Sequence, residues 1–262
     1  MGTFLKSSGN LIPVAIFEKK TGAIGRIDLS YKVEQGIVVD PVLANNDWAT
    51  IKSVCEAGDA GNYWSVGDIK NVTGGDTYTR PVMIVDMQGL YNKHVVFQFR
   101  YKTENNYVWA SNGVNDYENA TVRTTINSGG NAYSDLFSSD LGSILTDTTV
   151  KVCKGGTNAT LVDITNKVFL PAEKEVSTSP IYSRTEEQSA LITFQYYATH
   201  TSNDDRKIPK PSAVGETSGN SWWLRSPRSG YTGYVCVVYS SGSIDYDGAD
   251  GTSYGVSVCF AF

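Results

Sequence analysis

The sequence predicts an α+β fold, with short, twisted antiparallel sheets and two or three helices. Three observations carry that expectation. Short apolar runs recur between Gly-, Asn- and Asp-rich turns, as strands do. Helical spacing of apolar residues shows only after Asn46 and from Asn115 to Leu145. Strands and helices do not alternate in the rhythm of a parallel sheet, and no repeat of about 20–50 residues is present.

Taken in order, residues 1–40 read as a β segment, an edge hairpin or an attachment module. Leu11 to Phe17 is a strand, Lys19 to Gly22 a turn, and Ile24 to Val33 alternates apolar and polar residues. A single domain is expected over 41–262. Asn46 or Asp47 can cap a helix that puts Trp48, Ile51, Val54 and Cys55 on one face, with Gly58 ending it. Pro81 to Met87 and His94 to Tyr101 read as a central hairpin. Val122 and Ile126, then Leu136, Leu141, Ile144 and Leu145 after the Gly129-Gly130 break, mark two helical faces. Val168 to Leu170 is a short strand stopped by Pro171, Glu173 to Val176 a turn or helix start, and 198–220 a long polar loop.

Composition excludes several function classes. The chain has 262 residues and a net charge of −5 with no basic patch, which argues against a general nucleic-acid binder. No apolar run approaches about 18 residues, so no membrane insertion is expected. The first residues, MGTFLKSSGNLIPV, lack the charged and apolar regions of a signal peptide. Four dispersed cysteines without a CxxC, and only two histidines (His94, His200), give no zinc, redox or other cofactor site. Cys236 and Cys259 either pair or remain buried thiols. Motifs of the GxSxG, HExxH, Walker and GxGxxG kinds are absent, and the chain does not read as an enzyme.

The most informative stretch is 221–262. It opens with Trp222-Trp223-Leu224-Arg225-Ser226-Pro227 and closes on an apolar run from Gly255 to Phe262. These two pieces read as neighbouring strands of one small sheet, with Trp222, Trp223 and Arg225 as scaffold and Arg225 as a multiple hydrogen-bond donor. Between them, 231–262 contains no Lys, Arg, Glu, Gln, Met or Trp, but five Tyr and three Asp. Tyr with Ser, Gly and Asp is the composition of antibody paratopes: stiff amphipathic contacts plus adaptable polar ones.

The WWLRSP block, the polar Gly-rich segment after it and the terminal Gly255-Val256 with Phe260 resemble a domain of unknown function common in gut-bacterial and phage proteins. Asp47-Trp48, Tyr63-Trp64, Gly67-Asp68, Arg123 with Asn127, and Lys167 to Leu170 agree, so the resemblance runs from about residue 45 to the end. It implies the C-type lectin-like fold, formylglycine-generating-enzyme subtype. The closely spaced reactive cysteines of the oxidases on that fold have no counterpart here.

The chain also resembles variable proteins of diversity-generating retroelements, which display a diversified ligand-binding face. In those systems adenines in Asn codons are mutagenised, and Tyr, Asp, Gly, Val, Thr, Ser and Ala become reachable. The resemblance makes Tyr231, Gly233, Tyr234, Val237, Tyr239, Asp245, Tyr246, Asp247, Gly248, Asp250, Gly251 and Tyr254 the candidate ligand-binding positions, exposed together on an anionic aromatic face. It implies a protein or glycan receptor on a target cell, a virion (phage tail) or extracellular location, and a homo-oligomer. An enzyme on the same fold, a structural surface module and an ordinary polar loop are the other readings of these residues.

Overall fold

A computed structural model describes the strands Phe4–Ser7 and Asn10–Pro13 and residues 38–127, 131–213 and 220–262. The chain divides into two compact units, 1–36 and 37–262. In the first, β1 (Phe4–Ser7) pairs antiparallel with β2 (Asn10–Pro13), Ser7 opposite Asn10. The expected strand from Leu11 begins inside β2. Its continuation to Phe17, the Lys19–Gly22 turn and the Ile24–Val33 strand lie outside the described residues.

The second unit opens with α1 (Trp48–Glu56), capped as expected by the Asp47 carboxylate, which accepts Thr50 N–H at 2.6 Å. Trp48, Ile51, Val54 and Cys55 are its buried face, and Gly58 follows it at φ 77°. Next come β3 (Ile69–Thr73), β4 (Thr79–Asp86) and β5 (Val96–Phe99). The expected helical stretch forms α2 (Thr121–Asn127), α3 (Asn131–Leu136) and α4 (Ser139–Ile144).

The hairpin of β6 (Thr148–Gly155) and β7 (Asn158–Asn166) was not expected, because the β7 residues are mostly polar and solvent-facing. Three further short helices follow: α5 (Glu173–Val176), α6 (Thr185–Ala190) and α7 (Gln195–Thr199). The described residues therefore hold more than the two or three helices anticipated. These last three run four to six residues, too short to display a period and held by tertiary contacts rather than propensity.

The C-terminal segment supplies β8 (Trp222–Pro227), β9 (Tyr234–Val238), β10 (Ile244–Gly248) and β11 (Cys259–Ala261). A four-stranded antiparallel sheet has the order β11-β5-β4-β3, and a three-stranded one the order β10-β9-β8. This corrects the expectation that Trp222–Pro227 and Gly255–Phe262 are neighbours in one sheet. They are joined by a single parallel bridge, Trp222 to Gly255, and β11 instead completes the other sheet beside β5. The Val168–Pro171 run forms no strand of its own; Phe169 makes one bridge to Cys259.

Aromatic rings lock the ends of this unit together. Trp48 meets Phe97 and Phe260 edge-on at 5.8 and 5.9 Å, and Phe97 stacks on Phe260 at 5.1 Å. Each such pair is worth about 0.5–1.5 kcal/mol beyond its buried area. Helix α1 thus packs on the last strand of the chain. The backbone closes the same seam, with His94 and Val95 N–H both donating to Phe262 O.

A candidate ligand-binding face and its frame

The frame is β8, in which all six residues are buried. Adjacent strand residues point to opposite sides, so both sides of β8 are covered by protein. Each indole finds an acceptor: Trp222 Nε1 donates to Arg206 O at 3.2 Å and Trp223 Nε1 to Tyr107 O at 2.7 Å. The register between β8 and β9 slips between Trp223 and Pro227, freeing Leu224, Arg225 and Ser226 from regular cross-strand pairing.

Arg225 uses that freedom to turn into the interior. Its guanidinium donates to Leu170 O (2.8 Å), Lys151 O (3.2 Å) and both oxygens of Glu175, which is also fully buried. Tyr91 OH donates to the same carboxylate. Ser226 Oγ donates to Glu187 and accepts Glu173 N–H at 2.9 Å. The Glu173 carboxylate in turn accepts the N–H groups of Ile181, Tyr182 and Ser183. Arg225 thus ties β8 to the β6 hairpin and to α5, in the bidentate geometry that suits arginine best.

On this frame sits a face built from the turn after β8 and from β9 and β10. Arg228 lies in it with its guanidinium 3.3 Å from the Tyr246 ring centroid and 3.8 Å from that of Tyr231. Tyr234 meets both Tyr231 (5.5 Å) and Tyr246 (5.7 Å) edge-on, and Tyr182 adds a fourth ring 5.3 Å from Tyr246. Cation–π contacts of this kind contribute about 0.5–1 kcal/mol each when exposed. The Arg228 guanidinium donates no hydrogen bond and makes no ion pair among the described residues, so its N–H edges are open to a ligand carboxylate or carbonyl. To the expected anionic, aromatic-rich face the structure adds a cation from just outside 231–262, which sits among the tyrosines.

Of the twelve candidate positions, the structure exposes Tyr231, Tyr234 and Asp250 and leaves Gly233, Tyr239, Asp245, Tyr246, Asp247, Gly248, Gly251 and Tyr254 half-buried. Val237 is the exception and a correction: it is 0% exposed, paired with Trp223 on the inner side of β9. A codon set says what a position can encode, not which way a strand residue faces. Tyr254 packs edge-on against Trp223 at 4.6 Å and donates to Asp247. Burial and the Asp247 carboxylate push its hydroxyl pKa well up, so it stays a donor.

Sequence reasoning missed three contributors. Arg228 and Tyr182 lie outside the biased stretch. Asn115, 2% exposed, clamps the turn that presents the face: its Nδ2 donates to Tyr231 O (2.8 Å) and Tyr234 O (2.7 Å), and its N–H to Thr232 O (2.9 Å). Only the long sequence separation hid it; an Asn between Gly113 and Asp116 reads locally as a turn residue.

All four cysteines are buried and unpaired, which resolves the Cys236–Cys259 alternatives in favour of free thiols. Burial, then the neighbouring carboxylates Glu173 and Glu187, push the Cys236 thiol far up; burial and Glu175 do so for Cys259. Such thiols are poor nucleophiles. Among the described residues no group of three or more His, Cys, Asp or Glu is placed to hold a metal, and no helix is long and apolar enough to cross a membrane.

Fold and face together define an α+β domain that frames an aromatic surface with a buried ion pair and two buried indoles. The chain belongs to the family described as a domain of unknown function, DUF6273, whose match covers residues 90–262. No curated protein and no solved structure matches it.

Proposed function

We propose that this protein is a ligand-binding module, and that the face around Arg228, Tyr231, Tyr234 and Tyr246 is where a receptor docks. The observation that carries this reading is the open guanidinium stacked between Tyr231 and Tyr246 at the surface of an otherwise buried frame. Tyr and Arg are enriched among residues that dominate binding energies, because they offer large, stiff contact area with directional donors. A protein or glycan bearing carboxylate or hydroxyl groups suits the arrangement.

The finer reading has the C-type lectin-like fold of the formylglycine-generating-enzyme subtype and a C-terminal face diversified by a retroelement in a phage tail-tip protein. It is supported by the restricted residue set of 231–262 and by the grouping of all the candidate positions except Val237 at the surface. Two measurements test it. Replacing the residues at Tyr231, Tyr234, Asp245 and Tyr246 together is expected to change which surface glycans or proteins an array captures; an unchanged profile would sink the binding reading. A reverse-transcriptase gene beside this one, with a near-repeat of its 3′ end differing only at adenines, is the expected genomic signature of diversification.

A further inference from the structure

A second site is a polar cleft of about 260 Å³ between Lys102 and Lys210. That is below the roughly 300–1,000 Å³ of pockets for drug-sized ligands, and suits a single ring. Lys102 is the unusual member. It is 3% exposed, yet no carboxylate among the described residues lies within ion-pair distance of it. Its Nζ donates only to Asn106 Oδ1 (3.0 Å) and Thr103 O (3.3 Å), leaving one N–H of three without a protein acceptor there.

The one acid lining the cleft among the described residues is otherwise engaged: Glu104 pairs with Lys210 at 3.4 Å and accepts the N–H and hydroxyl of Ser212. A buried ammonium without a counter-ion is costly and is stabilised by an arriving anion. Among the described residues the remaining lining is hydroxyl and amide, with Ser221, Ser240, Ser253 and Asn220 and no apolar side chain.

The backbone at Gly255 runs close beside this ammonium. A Cβ at Gly255 would stand 2.7 Å from Lys102 Nζ and 2.8 Å from its Cδ, so only glycine there leaves the ammonium its place. This is a physical reason for the glycine that opens the terminal run.

We propose that this cleft binds a sugar acid, its carboxylate against the Lys102 and Lys210 ammonium groups and its hydroxyls against the serine and asparagine side chains of the rim. An aromatic or aliphatic acid would satisfy the cation but find nothing to pack on, and a neutral sugar would leave Lys102 unpaired. The site shares no residue with the aromatic face and does not depend on that reading. Burial, then repulsion from Lys210, lower Lys102 to about 8, with Glu104 the opposing charge, so the ammonium is present at neutral pH and binding weakens as pH rises through that value.

The test is calorimetric titration of the full chain at pH 7 with D-glucuronate, glucose, benzoate and inorganic phosphate. Saturable binding of glucuronate is expected, with each of the other three weaker by about tenfold or more. Lys102→Met is expected to lower glucuronate affinity by about tenfold without lowering the melting temperature, since it removes an uncompensated buried charge. Gly255→Ala, which displaces the ammonium without removing it, reads the same loss should the first variant fold poorly. Tyr246→Ala is expected to leave glucuronate binding unchanged. Equal binding of glucose, benzoate or phosphate, or glucuronate affinity unaltered by both Lys102→Met and Gly255→Ala, would overturn the proposal.

Discussion

Glu187 shows how much chemistry a single buried carboxyl carries. It is 0% exposed, accepts Cys153 N–H at 2.8 Å and the Ser226 hydroxyl, and burial raises it from 4.5 to about 7. Because the folded state holds the proton more tightly than the unfolded chain, its contribution is full below pH 4.5 and is lost as pH rises through about 7. The difference is on the order of 3 kcal/mol. Glu187→Gln is therefore expected to flatten the fall in denaturation midpoint across that window, measured by urea titration at several pH values. For Arg225, which bonds to both Glu175 oxygens at zero exposure, removal of one partner leaves the other buried and unpaired. Arg225→Met is expected to cost about 3–5 kcal/mol in the same assay. The scaffold role of Arg225 was legible because an arginine inside an apolar block needs internal acceptors. The buried state of Val237 was not, because facing depends on the partner strand.

At the scale of elements, the irregular junction of β8 with β9 matters most. Slipped pairing turns Arg225 inward and brings the chain to Arg228, at the base of the face. The β6–β7 turn supports that junction from beneath: Gly230 N–H donates to Gly156 O at 2.8 Å, and a Cβ on Gly156 would run into the carbonyls of Arg228 and Tyr231. Gly156→Ala is expected to destabilise the protein by about 1–3 kcal/mol and to disorder the Arg228–Tyr231 turn, seen as shifted amide resonances there. Arg228→Ala is expected to cost about 1–2 kcal/mol, from its two closest cation–π contacts, while abolishing ligand capture. The hairpin under this turn escaped the sequence reading because its outer strand is polar, and a half-exposed ribbon shows no apolar run.

For the whole molecule, the compact unit is larger than the family match. That match begins at residue 90, whereas α1, β3 and β4, which supply Trp48 and half of the four-stranded sheet, precede it. A fragment of residues 37–262 is expected to melt cooperatively by circular dichroism, and one of 90–262 to lack a cooperative transition. Without the first of these elements, Phe97 and Phe260 lose the Trp48 edge that covers them. The whole chain carries a net charge of −5, and the two candidate binding regions each gather their own local charge.

What the sequence determined by itself is everything encoded at short range. Asp47 caps α1, the β4–β5 hairpin follows from its apolar runs, WWLRSP is buried, and the Tyr- and Asp-rich tail reaches the surface. Periodicity, capping chemistry and composition act over a few residues and can be read there. Tertiary structure alone decided which strands pair, and so that β11 joins β5 rather than β8. It also decided that Arg228 lies between Tyr231 and Tyr246, and that Lys102 sits against Gly255 without an ion-pair partner among the described residues. Those outcomes depend on contacts between residues as far apart as Val96 and Ala261, whose energies come from desolvation and packing in the assembled core and leave no trace in local pattern.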